Sequence, residues 1–182
     1  MKRVVIFQVG EQNYALDLVY SRGIDQPSFV MPIPQAPERI VGVINLRGML
    51  FPVYSLRKRF GLPAVPNTPE SRILLGETNG MLIAYEADKV LEIEEIDEDQ
   101  IAPAPILVTN EETSYMDSII FTKRGMAILL NLNGMLSKEE QKMLDEALAK
   151  MQKKKEEEAQ AAETESSEAA ASDGTEQEEK TE

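Results

Sequence analysis

An all-β chain, closed as a barrel or a sandwich and finished by one helix, is the fold this sequence predicts on three observations. Apolar runs of strand length recur in pairs around short turn signals, four times in about 130 residues. The connections between pairs are rich in proline, which denies a backbone donor to any central strand. A sustained helical period begins only after Ser137, so helices do not form the frame.

The first pair is VVIFQV and NYALDLV around Gly10 and Glu11. In its second run Tyr14, Leu16 and Leu18 share one face and Ala15 and Asp17 the other, which predicts a half-buried strand pair. QPSFVMPIPQAPERI, with Pro27, Pro32, Pro34 and Pro37, reads as edge or loop. The second pair lies in VGVINLRGMLFPVYSLRKRFG, residues 41–61, where the apolar run folds back at Arg47 and Gly48. Ser55 then caps one helical turn carrying Leu56 and Phe60, with Gly61 at its exit. GLPAVPNTPESR, with Pro63, Pro66 and Pro69, suits a boundary between two small β units. ILLGETNGMLIAYE centres the third pair on Asn79-Gly80, residues that accept the positive φ of a type I′ turn. SIIFTKRGMAILLNL repeats the pattern around Lys123 to Gly125. Last, Ser137 and Glu140 form a capping box before Met143, Leu144, Ala147, Leu148 and Met151, the packing face of a helix closed by Lys153 to Lys155.

Charge divides the chain. Its net charge is -13, but residues 156–182 hold eleven acids against one Lys, so residues 1–155 carry only -3. That tail has no side chain more apolar than Ala, and its composition predicts disorder. The domain plan is a folded body over 1–145, the end of the helix over 146–155 and a disordered acidic tail over 156–182. A near-neutral body with an acidic tail disfavours nucleic acid, although Arg57, Lys58 and Arg59 form a small basic cluster. No run approaches the ~18 apolar residues of a membrane span, and the polar start is unlike a signal peptide, so a cytoplasmic protein is expected.

The chain has no Cys and no His, so thiolates, disulfides and the commonest general base and metal ligand are all absent. The carboxylates from Asp88 to Asp99, in VLEIEEIDEDQ, are the remaining candidates for a cation site. They lack an EF-hand spacing and are interrupted by Val90, Leu91, Ile93 and Ile96, so a solvated strand or helix edge is the expectation. Gly42 and Gly48 have neither a P-loop nor a dinucleotide spacing. No cofactor is expected. Read alone, Arg47 is either a recognition group for carboxylates and carbonyls or a cation tied to a neighbour.

The stretch from Gly42 to Arg57 resembles the CheW family of bacterial chemotaxis coupling proteins, through Gly42, Val43, Asn45, Leu46, Arg47, Gly48, Pro52, Val53, Leu56 and Arg57. The likeness extends over nearly all of residues 1–145, with PIPQAP, IAPAP and ILLNLNGML as further matches. It implies two fused five-stranded SH3-like β-barrels, no active site, and an adaptor joining the chemoreceptor cytoplasmic tip to the regulatory domain of the histidine kinase CheA. It also implies partner contacts at Arg47, with Asn45 and Gly48 shaping the turn. Ile24, Val30 and Ile33 are apolar candidates for a contact surface or for core. Ser21 and Gly23 depart from the family's Val and Glu in that region, which leaves open an adaptor of another sensory pathway such as surface motility.

Overall fold

The computed structural model describes residues 1–104 and 113–172, with side chains as far as Ala161. Strands β1 (Lys2–Val9), β2 (Gln12–Asp17) and β3 (Ser21–Asp25) come first. Strands β4 (Ile40–Leu46) and β5 (Met49–Ser55) lead into the single turn α1 (Leu56–Arg59), and β6 (Arg72–Thr78), β7 (Met81–Ala87) and β8 (Lys89–Ile96) follow. The short β9 (Ile101–Pro103), then β10 (Met116–Thr122) and β11 (Gly125–Leu130), precede the long helix α2 (Lys138–Ser172). Pro105, the end of the IAPAP segment, lies outside the described residues.

Two sheets form, in the orders β8-β1-β2-β11-β10-β9 and β3-β6-β7-β5-β4. Each curls until its ends meet. In the first, the Lys123 amide donates to the Glu94 carboxylate on β8 at 3.3 Å, and Arg124 pairs with Glu92 at 2.6 Å. In the second, the proline-rich connection crosses from β3 to the edge of β4, where Met31 and Val43 exchange two backbone hydrogen bonds at 2.8 Å. These are the two barrels, with six strands in the first because β9 adds a short pairing beside β10.

The barrels are not consecutive pieces of chain. Strands β1 and β2 lie in the first sheet while β3 to β5 lie in the second; β6 and β7 lie in the second while β8 to β11 lie in the first. Each sheet is sealed by one parallel pairing between the two halves of the chain, Ala15 with Leu129 and Val53 with Ala84. Both halves end in a capped turn: the Ser55 hydroxyl accepts from the Lys58 amide, and the Asn131 side chain accepts from the Asn133 amide. The segment from Gly61 to Arg72 therefore separates two interleaved halves, so the two small β units it was expected to divide are not the two barrels.

Interleaving buries the central strands on both faces. Val4, Ile6, Ala15, Ile120 and Leu129 fill the first barrel, and Ile44, Phe51, Val53, Ile73 and Ala84 the second. Between them lies a third cluster, in which Phe7, Tyr14 and Leu16 of one sheet meet Tyr54, Leu74, Ile83 and Tyr85 of the other. The expected half-buried β2 is thus wrong. Ala15 is as buried as Tyr14 and Leu16, because it points into the first barrel with Ile120 and Leu129 while the second barrel covers the face that carries Tyr14 and Leu16.

Helix α2 begins as predicted, with the Glu140 amide donating to the Ser137 hydroxyl at 3.1 Å and the Ser137 amide donating to Glu140 at 2.9 Å. Arg39 pairs with the same carboxylate at 3.0 Å, while Leu144 and Ala147 are buried on the barrels. The helix continues to Ser172, beyond the end expected at residue 155. Residues 152–172 contain neither Gly nor Pro and are mostly Ala, Glu, Lys and Gln, which favour helix without a packing face. Lys154 and Glu158 add an i,i+4 pair at 3.8 Å. Residues 173–182 of the expected disordered tail lie outside the described residues.

Removing residues 156–182 should change unfolding free energy by less than about 0.5 kcal/mol in urea titrations, since every described side chain of α2 past Met151, as far as Ala161, is exposed. A larger loss would mean that the tail packs. At Gly42 an added Cβ would lie 2.3 Å from the Met31 carbonyl oxygen and 2.6 Å from Val30. Gly42→Ala should therefore cost about 1–3 kcal/mol by the same measurement.

Candidate partner-binding site

Leu46 and Met49 are the last paired residues of the β4–β5 hairpin, so Arg47 and Gly48 alone make the turn. Their φ values are 54° and 85°, the two positive values that a type I′ turn requires. Gly48 meets that demand without strain, whereas an L-residue with a long side chain in this region costs about 1–2 kcal/mol. The turn is supported from below, where the Asn45 side-chain oxygen accepts from the Gly48 amide at 2.9 Å. The Arg47 guanidinium is exposed and has no hydrogen-bond or ion-pair partner among the described residues.

The neighbouring cations are engaged within the molecule. Arg57 donates from Nε to Asp88 at 3.0 Å, from one Nη to the second Asp88 oxygen at 2.7 Å and from the other to the Pro63 carbonyl at 2.9 Å. The Gly10 amide donates to the same Asp88 at 2.7 Å, so one carboxylate ties the β1–β2 turn, the exit of α1 and the β7–β8 corner. The hydrogen bond to Asp88 raises the Arg57 pKa above its ordinary value. Lys58 donates to the Glu38 carbonyl, and Arg59 stacks on Tyr115 with 4.8 Å between guanidinium and ring centre. Arg47 thus differs from the rest of its own basic segment.

Asn45, Arg47 and Gly48 come together as one tip. Ile24 sits on β3, at the far end of the strand order from β4, and is 40% exposed. Val30 and Ile33 are half-buried, Val30 against the second barrel's interior and Ile33 against the shared core. Sequence reasoning passed over Phe29, 85% exposed between Ser28 and Val30, and Met49, 61% exposed beside the tip. It also passed over a repeated tripeptide: Arg47-Gly48-Met49 has a counterpart in Arg124-Gly125-Met126 at the β10–β11 tip. There Met126 pairs across the strands with the exposed Phe121. Arg124, unlike Arg47, is held by Glu92.

Reactive groups do not gather in the same way. Among the described residues no three carboxylates converge as metal ligands, and the Asp88 to Asp99 run divides between β8 and a 3-10 turn. A cleft of about 690 Å³ opens beside the first turn of α2, but its Ser137 and Glu140 cap each other and Glu140 also holds Arg39. No helix among the described residues is long and apolar enough to cross a membrane.

Two barrels on a shared core, with free side chains at hairpin tips, define a binding module of the scaffold class. The chain belongs to the CheW family, since the family model described as the CheW-like domain matches residues 3–140. Chemotaxis protein CheW of Rhizobium meliloti is 26% identical over 140 residues, which are 77% of this chain and 90% of that protein. The Helicobacter pylori chemotaxis protein CheW is 32% identical over 110 residues, 60% of this chain and 67% of that protein. Among solved structures, the scaffolding protein TtCheW from Thermoanaerobacter tengcongensis superposes with a TM-score of 0.69 at 33% identity, covering 76% of this chain and 94% of that one. Helix α2 beyond residue 140 lies outside the family match.

Asn45→Ala should leave the Gly48 amide to solvent and lower stability by about 0.5–1.5 kcal/mol in chemical denaturation. A variant as stable as the parent would show that Asn45 is not what sets the turn.

Proposed function

We propose that this chain is a non-catalytic chemotaxis adaptor of the cytoplasm, joining the cytoplasmic tip of chemoreceptors to the regulatory domain of the histidine kinase CheA. The observation that carries the reading is Arg47, a cation held on a strained turn with no partner among the described residues. A long side chain kept where Gly or Asn would cost less is explained by a contact made outside the molecule. Bridging requires a second surface, and the Phe121–Met126 pair at the β10–β11 tip supplies an apolar one. No bond needs to be broken for such a role. The adaptor biases the kinase by binding its signalling states with unequal affinity, and receptor state enters through the same linked equilibria.

A second reading, an adaptor of another sensory pathway such as surface motility, is favoured by β3. A bulge falls between Ser21 and Gly23, and Arg22 is drawn to Glu77 at 2.5 Å, giving that edge a chemistry of its own. Parallel pull-downs with receptor-tip and CheA regulatory-domain fragments separate the two readings. Retention of both supports the chemotaxis adaptor, and retention of neither overturns it.

Arg47→Ala should melt within about 2 °C of the parent, because no contact in the fold is lost, yet bind the receptor-tip fragment about tenfold or more weakly. Unfolding of that variant would make Arg47 a structural residue instead.

A further inference from the structure

Phe29 is the most exposed aromatic side chain described, and its position is not arbitrary. The Met31–Val43 bridge presses the proline-rich connection against β4, closely enough that only Gly fits at position 42. Along that connection Val30 turns inward to the second barrel's core, so Phe29 and Met31, one residue to either side, face out at 85% and 42% exposure. Phe29 lies two residues before the bridge, and Asn45 lies two residues after it on the neighbouring strand. An antiparallel course carries both toward the turn, with Arg47 roughly 7 Å farther along. Met49, 61% exposed, pairs with Leu46 and so stands on the hairpin's other face, away from Asn45 and Phe29.

Charge around this tip is one-sided. In a chain of net charge -13, the 31 residues from Arg39 to Pro69 contain no Asp or Glu and five basic residues. Four of those five are engaged within the molecule, and Arg47 has no counter-charge in contact among the described residues.

We propose that Phe29 and Arg47 form one docking surface for an acidic protein segment that carries a carboxylate beside an apolar side chain. The carboxylate meets the Arg47 guanidinium and the apolar side chain is buried against Phe29. This assignment rests on the reading of Arg47 as a partner contact and adds to it the chemistry of the partner and an aromatic anchor in this chain. An aromatic next to an unpaired arginine supplies both contact area and charge-assisted hydrogen bonds.

The test is calorimetric titration of the full chain with a receptor-tip fragment at low and high salt, using the parent, Phe29→Ala, Arg47→Ala and the double variant. Phe29→Ala should bind about tenfold more weakly with an unchanged melting temperature and an unchanged salt dependence. Arg47→Ala should flatten the salt dependence, and the double variant should lose less than the sum of the two single losses. If Phe29→Ala binds within about twofold of the parent while Arg47→Ala does not, the docking surface is refuted and the adaptor reading stands. Retention of the parent's salt dependence by Arg47→Ala refutes the carboxylate partner. Failure of the parent chain to bind the fragment refutes both this surface and the receptor contact on which it rests.

Discussion

Everything in the molecule is organised by the layer of side chains between its two barrels. Phe7, Tyr14 and Leu16 on one sheet and Tyr54, Leu74, Ile83 and Tyr85 on the other are almost wholly removed from water. A barrel of about 60 residues buries too little surface to be secure alone, and this layer supplies the missing burial to both at once. Its polar atoms are also satisfied. The Tyr54 hydroxyl donates to the Met135 carbonyl at 2.8 Å, and Thr78 and Tyr85 share a hydrogen bond. Burial raises the pKa of both tyrosines above the ordinary phenol value, so they remain neutral donors at any physiological pH.

Rigidity at the centre makes the periphery usable. Asp88 binds Arg57 and the Gly10 amide across a junction of three segments, so the frame behind the β4–β5 hairpin is fixed by hydrogen bonds as well as by packing. The other tip is built differently. Arg124 is drawn down to Glu92, leaving Phe121 and Met126 as the accessible groups. The β4–β5 tip therefore carries an arginine with no partner among the described residues, whereas the β10–β11 tip carries one already paired beside exposed apolar side chains.

Local chemistry was legible in the sequence and long-range exchange was not. Asn79 and Gly80 adopt positive φ, as their dipeptide demands, Ser55 and Ser137 cap the helices they precede, and Glu140 closes the capping box from the first turn of α2. These signals are complete within four residues. Strand β3, by contrast, leaves the sheet of β1 and β2 for the other one, and nothing in Ser21 to Asp25 records which sheet will receive it. For the same reason Ala15 reads as a solvent-facing position when it is core, since the covering surface comes from residues far away in the chain. Phe29 was hidden by the prolines around it, which interrupt the alternation by which an outward residue is recognised. The extension of α2 was missed because the absence of an apolar stripe was taken as absence of helix, whereas Ala, Glu and Lys favour helix without one.

The interleaved strand order has an implication for how such a chain can be assembled. Residues 1–55 by themselves form a hairpin from one sheet and three strands from the other, and neither set can close. Two copies of such a half, each lending its last strands to its twin, would close both barrels at once. The segment from Gly61 to Arg72 is then the link that such a pair would lack, and the two Arg-Gly-Met corners fall at corresponding turns, β4–β5 and β10–β11.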